Sequence, residues 1–405
     1  MRRVGRTVRG IAAAAAGVLL GALGAAVPAH AATGFYACPR GYFCAWTGEN
    51  GTGSMMKTNK NMPTLGAWDN RIVSVSNQTT SVVCTYTDAN YVYDDGYSFE
   101  RPELAGEGGW TGGTPDISSL KFVKTERECV EPPYGPWYSQ KSGVKAAFGD
   151  LDGDGYADVL SRDLAGRLWF VPGSTGAGRL LGAGWNAMTA ITRHGDFDGD
   201  GHEDLIATDT AGKMWLYPVT GSAVFHTRRL VGAGWNTMAK VTAVGDLTGE
   251  GYNDLLATDK AGTLWLYPGN GHGNFGARKL ISSGWQVMTA LTGSGDMNGD
   301  KIADFFARDT SGKLWLFGGK GHATFYPRQL VSSGWNVFDS LISVGDTDGD
   351  GRNDLNGVTN NRYVMDGYAG YQGWLLLYRG TGSGRTPLRS PVQQSGDWWE
   401  LNGTY

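Results

Sequence analysis

From residue 148 onward, short apolar runs alternate with turns rich in Gly, Asp and Asn. Five Gly-Asp pairs end at Asp150, Asp196, Asp246, Asp296 and Asp346, spaced by 46, 50, 50 and 50 residues. A Gly-Trp marker recurs at Trp185, Trp235, Trp285 and Trp335, and a Leu/Met-Trp marker at Trp169, Trp215, Trp265 and Trp315. Three markers in phase define a repeat of one supersecondary unit. Within a unit, an apolar approach ends at Asp246. "DLLATD", a turn at Gly262, "TLWLY" and "RKLISSGW" follow. Each run has strand length and is bounded by hairpin turn residues. No stretch sustains a 3.6-residue period, which argues against a helical solenoid. The chain is therefore expected to be all-β, with a five-bladed β-propeller over residues 144–405. The fifth unit is irregular, with an insertion around Asn356–Gly373 and a late Gly-Trp-like marker at Trp398. Trp137 precedes Asp150 by thirteen residues, against eleven in the other units. Either terminus could donate the strand that closes the ring.

The Asp-rich turns carry candidate chemistry. The first holds Asp150, Asp152, Asp154 and Asp158. The second holds Asp196, Asp198, Asp200 and Asp204, and the fifth Asp346, Asp348, Asp350 and Asp354. Calcium takes six to eight hard oxygens, and carboxylates at alternate positions converge on one ion only if the chain wraps tightly. Gly155, Gly201 and Gly351 at the sixth position permit that wrap. The fourth loop offers Asp296, Asn298, Asp300 and Asp304, but Lys301 replaces the glycine, strains the turn and adds a competing charge. The third offers Asp246, Thr248, Glu250 and Asp254, with a neutral oxygen at Thr248. Calcium affinity is expected to fall from loops one, two and five to loop four and then loop three. The repeats, over roughly Lys145 to Tyr405 and most clearly in "FGDLDGDGYADVL", resemble the FG-GAP/VCBS family of integrin-type propellers. That resemblance implies calcium and a binding or scaffold role.

Residues 33–131 lack these loops and are rich in Tyr, Thr, Asn and Ser. "GYFCAWTGENGTGSMM" and "SVVCTYTDANYVYDDGYS" read as related halves, each a cysteine and aromatic followed by a polar turn. Two similar all-β halves predict a double Greek key. Cys38-Pro39, Gly41, Cys44 and Trp46-Thr47-Gly48-Glu49-Asn50, with Tyr86 and Tyr91 in the second half, resemble the secreted bacterial metalloproteinase-inhibitor family. That family's fold is βγ-crystallin-like. The resemblance implies inhibition of an extracellular peptidase by a rigid, disulfide-supported loop. The spacing from Asp69-Asn70 to Val73-Ser74, and from Thr114-Pro115 to Ser118-Ser119, breaks the crystallin calcium motif.

The four cysteines, Cys38, Cys44, Cys84 and Cys129, all precede residue 130. An even count in an exported chain favours two disulfides over zinc, for which no C-x-x-C knuckle is present. Of the three possible pairings, Cys38–Cys44 with Cys84–Cys129 is favoured. Residues 132–143, within "EPPYGPWYSQKSG", read as a Pro-containing linker.

Residues 1–32 read as a signal peptide, with Arg2, Arg3, Arg6 and Arg9, an apolar stretch and Ala29-His30-Ala31. Its removal leaves 31 basic against 39 acidic side chains, a net charge of −8. That balance excludes a phosphate-neutralising surface and argues against nucleic acid or anionic membranes as partners. No H-E-x-x-H, G-x-S-x-G or P-loop motif occurs, and the propeller histidines are scattered without partners. The expected protein is a secreted, monomeric, non-enzymatic binder of an extracellular peptidase, carried on a calcium-stabilised propeller. The alternative is a lectin-like propeller that binds glycan.

Overall fold

The computed structural model describes residues 33–92, 97–110, 116–129, 134–143, 148–365, 367–398 and 401–405. The expected signal peptide lies outside them.

Among the described residues the N-terminal region holds seven short strands. They are β1 (Phe43–Trp46), β2 (Met55–Thr58), β3 (Ser74–Asn77), β4 (Val82–Tyr86), β5 (Tyr97–Glu100), β6 (Gly109–Trp110) and β7 (Ser119–Val123). They form two antiparallel sheets, β2-β1-β3-β6 and β5-β4-β7. β6, from the second half, pairs with β3 of the first. In return Met62 bridges to Leu120 of β7. Each half thus lends backbone to the other's sheet, as a double Greek key does, and Phe43, Ile72, Val75, Val83 and Leu120 fill the space between.

The halves also match in detail. Ser74 Oγ accepts from Gly51 N at 3.0 Å and donates to Gly48 O at 2.7 Å. Ser119 Oγ accepts from Tyr91 N at 3.0 Å and donates to Asp88 O at 2.6 Å. Gly51 and Tyr91 both have left-handed backbone, at φ 73° and 65°. Gly51 is required in the first half, because a Cβ there would meet Gly34 and Phe35 backbone at 2.6 Å. Both expected disulfides, Cys38–Cys44 and Cys84–Cys129, are formed.

The propeller region contains five four-stranded antiparallel sheets among the described residues. From the innermost strand outward, blade 2 is Met188–Arg193, Leu205–Asp209, Lys213–Tyr217 and Arg229–Ala233. Blade 3 is Met238–Gly245, Asp254–Asp259, Thr263–Tyr267 and Lys279–Ser283. Blade 4 is Met288–Gly295, Asp304–Asp309, Leu314–Phe317 and Gln329–Ser332. Blade 5 is Phe338–Ile342, Leu355–Thr359, Leu375–Tyr378 and Val392–Ser395. Its insertion folds as a small hairpin, Val364–Met365 against Tyr368–Ala369.

The C-terminus closes the ring. Leu401–Thr404 is the innermost strand of blade 1, ahead of Val159–Asp163, Leu168–Val171 and Arg179–Gly182. Tyr405 and Leu160 exchange backbone hydrogen bonds, each 2.8 Å. The innermost strands of all five blades line one axial channel. Alternation places Leu205, Ala207 and Tyr217 of blade 2 against blade 1, and Ile206, Met214 and Leu216 against blade 3.

Residues 134–143 of the segment read as a linker are instead built into the propeller. Tyr134 and Trp137 are buried with Ala157, Val159, Trp169 and Trp398. Trp137 Nε1 donates to Ala157 O at 3.0 Å. Gln140 N donates to Thr347 O at 2.9 Å, and Ser142 N to Gly155 O at 3.0 Å. This strap spans the seam between blades 5 and 1.

Candidate metal loops

Each Asp loop is organised by its first carboxylate. Asp150 Oδ1 accepts from the backbone of Gly153 (2.7 Å) and Asp154 (3.0 Å), and its Oδ2 accepts from Gly155 (2.9 Å). Asp196, Asp246, Asp296 and Asp346 repeat the arrangement at 2.6–2.8 Å to the residues three and five further on. Such a wrap needs left-handed backbone at the sixth position. Gly155, Gly201, Gly251 and Gly351 supply it at φ 84–90°, and Lys301 adopts it at φ 70°. A lysine there is strained, as its place in the pattern predicts.

The ninth carboxylate is a latch. Asp158 accepts from Leu151 N (2.8 Å) and Gly173 N (2.9 Å), tying the loop to the turn after the third strand. Asp204, Asp254, Asp304 and Asp354 make the same two bonds. All five are fully buried. Burial pushes Asp158 up to about 8, Asp204 and Asp304 to about 7, and Asp254 and Asp354 to about 6, against a partial opposing effect of the backbone donors. A bound cation would reverse that shift by favouring the ionised form.

Three loops bring carboxylates together. Ligand oxygens of Asp150, Asp152 and Asp158 lie within 4.8 Å of one another, as do those of Asp196, Asp198 and Asp204, and of Asp346, Asp348 and Asp354. These are positions one, three and nine. The fifth-position Asp154, Asp200 and Asp350 stand outside the sets, accepting from the backbone two residues on. In loop four Asn298 Nδ2 donates to Asp304 Oδ1 at 3.2 Å, so the third position presents nitrogen, not oxygen. In loop three Thr248 Oγ1 donates to Asp246 Oδ1 at 3.3 Å. Neither Asp296 and Asp300 nor Asp246 and Glu250 join a three-carboxylate set among the described residues.

The donor set suits a hard cation. Asp198 Oδ1 is buried without a hydrogen-bond partner, while its Oδ2 meets Arg229 at 2.8 Å. Arg379 sits likewise 2.9 Å from Asp348 Oδ2. Calcium favours oxygen-only cages of this kind.

Other candidate residues resolve into structure. Trp185, Trp285, Trp335 and Trp398 are buried, and Trp185, Trp285 and Trp335 pack on Tyr217, Phe317 and Tyr378 of their own blades. Each repeated Trp donates its backbone N–H to a glycine carbonyl of the preceding hairpin, including Trp398 to Gly373. Trp185, Trp285 and Trp335 thus serve as blade core. Asp69-Asn70 joins no acidic cluster among the described residues, and Thr114-Pro115 lies outside them. His194, one of the scattered propeller histidines, is buried. The signal available was its place in the repeat, where Val244, Ser294, Val344 and Phe148 stand in the other units. Burial drives its imidazole down to about 3, so it is neutral.

Residues 31–99 match the model of peptidase inhibitor family I36. Residues 196–257, 246–307 and 296–355 match the FG-GAP-like repeat. No curated protein matches the chain. Among solved structures, a lectin from Agrocybe aegerita that recognises non-reducing terminal N-acetylglucosamine is 16% identical, with a TM-score of 0.38. The match covers 89% of this chain and 91% of the lectin. The BP39L lectin of Burkholderia pseudomallei is also 16% identical, with a TM-score of 0.40, covering 62% of this chain and 68% of its own.

Proposed function

We propose that this protein is exported and binds an extracellular metallopeptidase through its N-terminal double Greek key, with the propeller serving as a calcium-stabilised platform. One observation carries the reading. The segment that matches the peptidase inhibitor family, residues 31–99, lies within a β domain closed by two disulfides, one of which reaches Cys129 beyond the match. An inhibitor must present its target with a loop that loses little entropy on binding. Here Cys38–Cys44 ties the entry to β1, and the second disulfide ties β4 to Cys129. Disulfides persist in oxidising compartments, which supports export. No helix among the described residues is long and apolar enough to cross a membrane.

In the propeller, Asp150, Asp152 and Asp158, Asp196, Asp198 and Asp204, and Asp346, Asp348 and Asp354 would hold calcium. The ion would neutralise buried carboxylates and fix each loop.

The test is titration of a thermolysin-like metallopeptidase with the purified protein in millimolar calcium. Stoichiometric loss of peptidase activity is expected. No inhibition at micromolar protein would overturn the reading and leave glycan binding as the alternative.

A further inference from the structure

The blade 5 insertion departs from a turn that the other four blades share. In those blades the second and third strands are joined at 163–166, 209–212, 259–262 and 309–312, and each turn is closed by a bond from its glycine N to its aspartate O. Blade 5 keeps the bond, Gly373 N to Thr359 O at 2.8 Å, but residues 360–372 lie between its ends. The two legs of this excursion wall a polar cavity of about 460 Å³ at the seam of blades 4 and 5. Asn361 and Arg362 line it from the outgoing leg and Gln372 from the returning one.

Arg308 lines the blade 4 side, where the same position in blades 2 and 3 holds Thr208 and Thr258. Its Nη1 donates to Trp335 O and Phe338 O at 2.9 and 2.6 Å, and its Nε to Thr289 Oγ1 at 3.0 Å. Arg162 of blade 1 grips Trp185 O and Met188 O in the same way, but there Nη2 is taken by Asn402 O at 2.7 Å. The Nη2 of Arg308 has no hydrogen-bond partner among the described residues and keeps access to solvent.

Asp339 lines the same cavity, at a position held by Thr189, Ala239 and Thr289 in blades 2 to 4. It is exposed and forms no ion pair among the described residues. Burial lowers the Arg308 pKa and the Asp339 charge opposes that shift, so the two charges act on each other without touching. The side chains of Asn361, Arg362 and Gln372 are exposed. The open nitrogen of Arg308, the carboxylate of Asp339 and the insertion thus meet in one concavity.

A guanidinium and a carboxylate held apart in one cavity complement a ligand that carries both signs. Phe338 is the one ring among the described lining residues and is 3% exposed, so no aromatic face is offered to a sugar. We propose that this cavity binds a small zwitterion, its carboxylate on Arg308 and Arg362 and its ammonium on Asp339, with the amides of Asn361 and Gln372 meeting a polar side chain. Guanidinium and carboxylate pair through two parallel bonds, which fixes orientation as well as affinity. A free amino acid and a short peptide share this chemistry and differ in the separation of their charges. The site is independent of the inhibitor reading of the N-terminal domain.

The experiment is calorimetric titration of the purified protein, in millimolar calcium, with L-glutamine, L-alanyl-L-glutamine, N-acetyl-L-glutamine and D-galactose. Saturable one-to-one binding of either of the first two supports the site, and the tighter of them identifies the source. N-acetyl-L-glutamine lacks the ammonium and is expected to bind at least about tenfold more weakly than that zwitterion. Asp339→Ala and Arg362→Ala alter exposed side chains, so both are expected to keep the melting temperature while weakening zwitterion binding at least about tenfold. Asp339→Ala is also expected to erase the preference over N-acetyl-L-glutamine. No binding of either zwitterion, tighter binding of D-galactose, or unchanged affinity and preference in Asp339→Ala would overturn the proposal.

Discussion

The Ser142 hydroxyl donates to Asp346 Oδ2 across 2.8 Å, joining positions 204 residues apart. It pins the strap that follows the N-terminal domain to the first carboxylate of the fifth loop. In the other blades that loop is covered by the next blade, as His322 N and Ala323 N of blade 4 bond to Thr248 O and Leu247 O of loop three. At the seam the strap takes over this role.

Trp137→Ala should therefore destabilise the propeller as a core deletion does. Trp137 is 1% exposed and packs edge-on against Trp398 at 6.4 Å. A loss of about 3–5 kcal/mol is expected, against about 1 kcal/mol for Ser142→Ala. Urea unfolding of the two variants measures both. A Trp137→Ala protein as stable as wild type would show that the strap is not part of the ring.

Calcium removal should lower the melting temperature. With ~1 mM ion and a Kd of ~0.1 mM, each occupied loop adds about 1.4 kcal/mol, so three loops together are worth roughly ten degrees. Asp198→Asn should abolish one third of that difference with little effect on the calcium-free protein, because Asp198 is not a latch. Asp204→Asn should harm both forms, since Asp204 holds Phe197 N and Val219 N. Calorimetric melts with and without chelator distinguish the two.

Glu100 sets a pH dependence in the N-terminal domain. Burial, aided by the neighbouring Glu103 carboxylate, pushes it up to about 7. The folded chain then keeps a proton that the unfolded chain releases near pH 4.5. Stability contributed by this group is full below that pH and is lost as pH rises to about 7. Glu100→Gln should flatten this slope, and thermal melts at pH 4.5, 6 and 8 would show it. An unchanged slope would reassign the effect to other groups.

The two disulfides should differ in worth. Cys84–Cys129 closes a separation of 45 residues and Cys38–Cys44 one of 6. Loop-closure entropy gives about 4 kcal/mol for the first and about 2 kcal/mol for the second. Paired Cys→Ala variants, compared by denaturant midpoint, should unfold in that order.

Much of this was legible along the chain because turn chemistry is local. The Asp-x-Asp-x-Asp-Gly pattern folds onto itself through bonds spanning three to five residues, so the sequence alone determined the repeat, its strands and where oxygens gather. It also marked Lys301 as the strained exception. Which carboxylates converge was decided only in three dimensions, because the ninth residue reaches the cluster through a latch fifteen residues away. Ring closure was likewise undecided. Arg162 grips Asn402 O from 240 residues away, a contact set by the curvature of stacked sheets and not by neighbours in sequence. The burial of His194 belongs to the same class, since the Gly295 N–H that meets its Nε2 comes from 101 residues away.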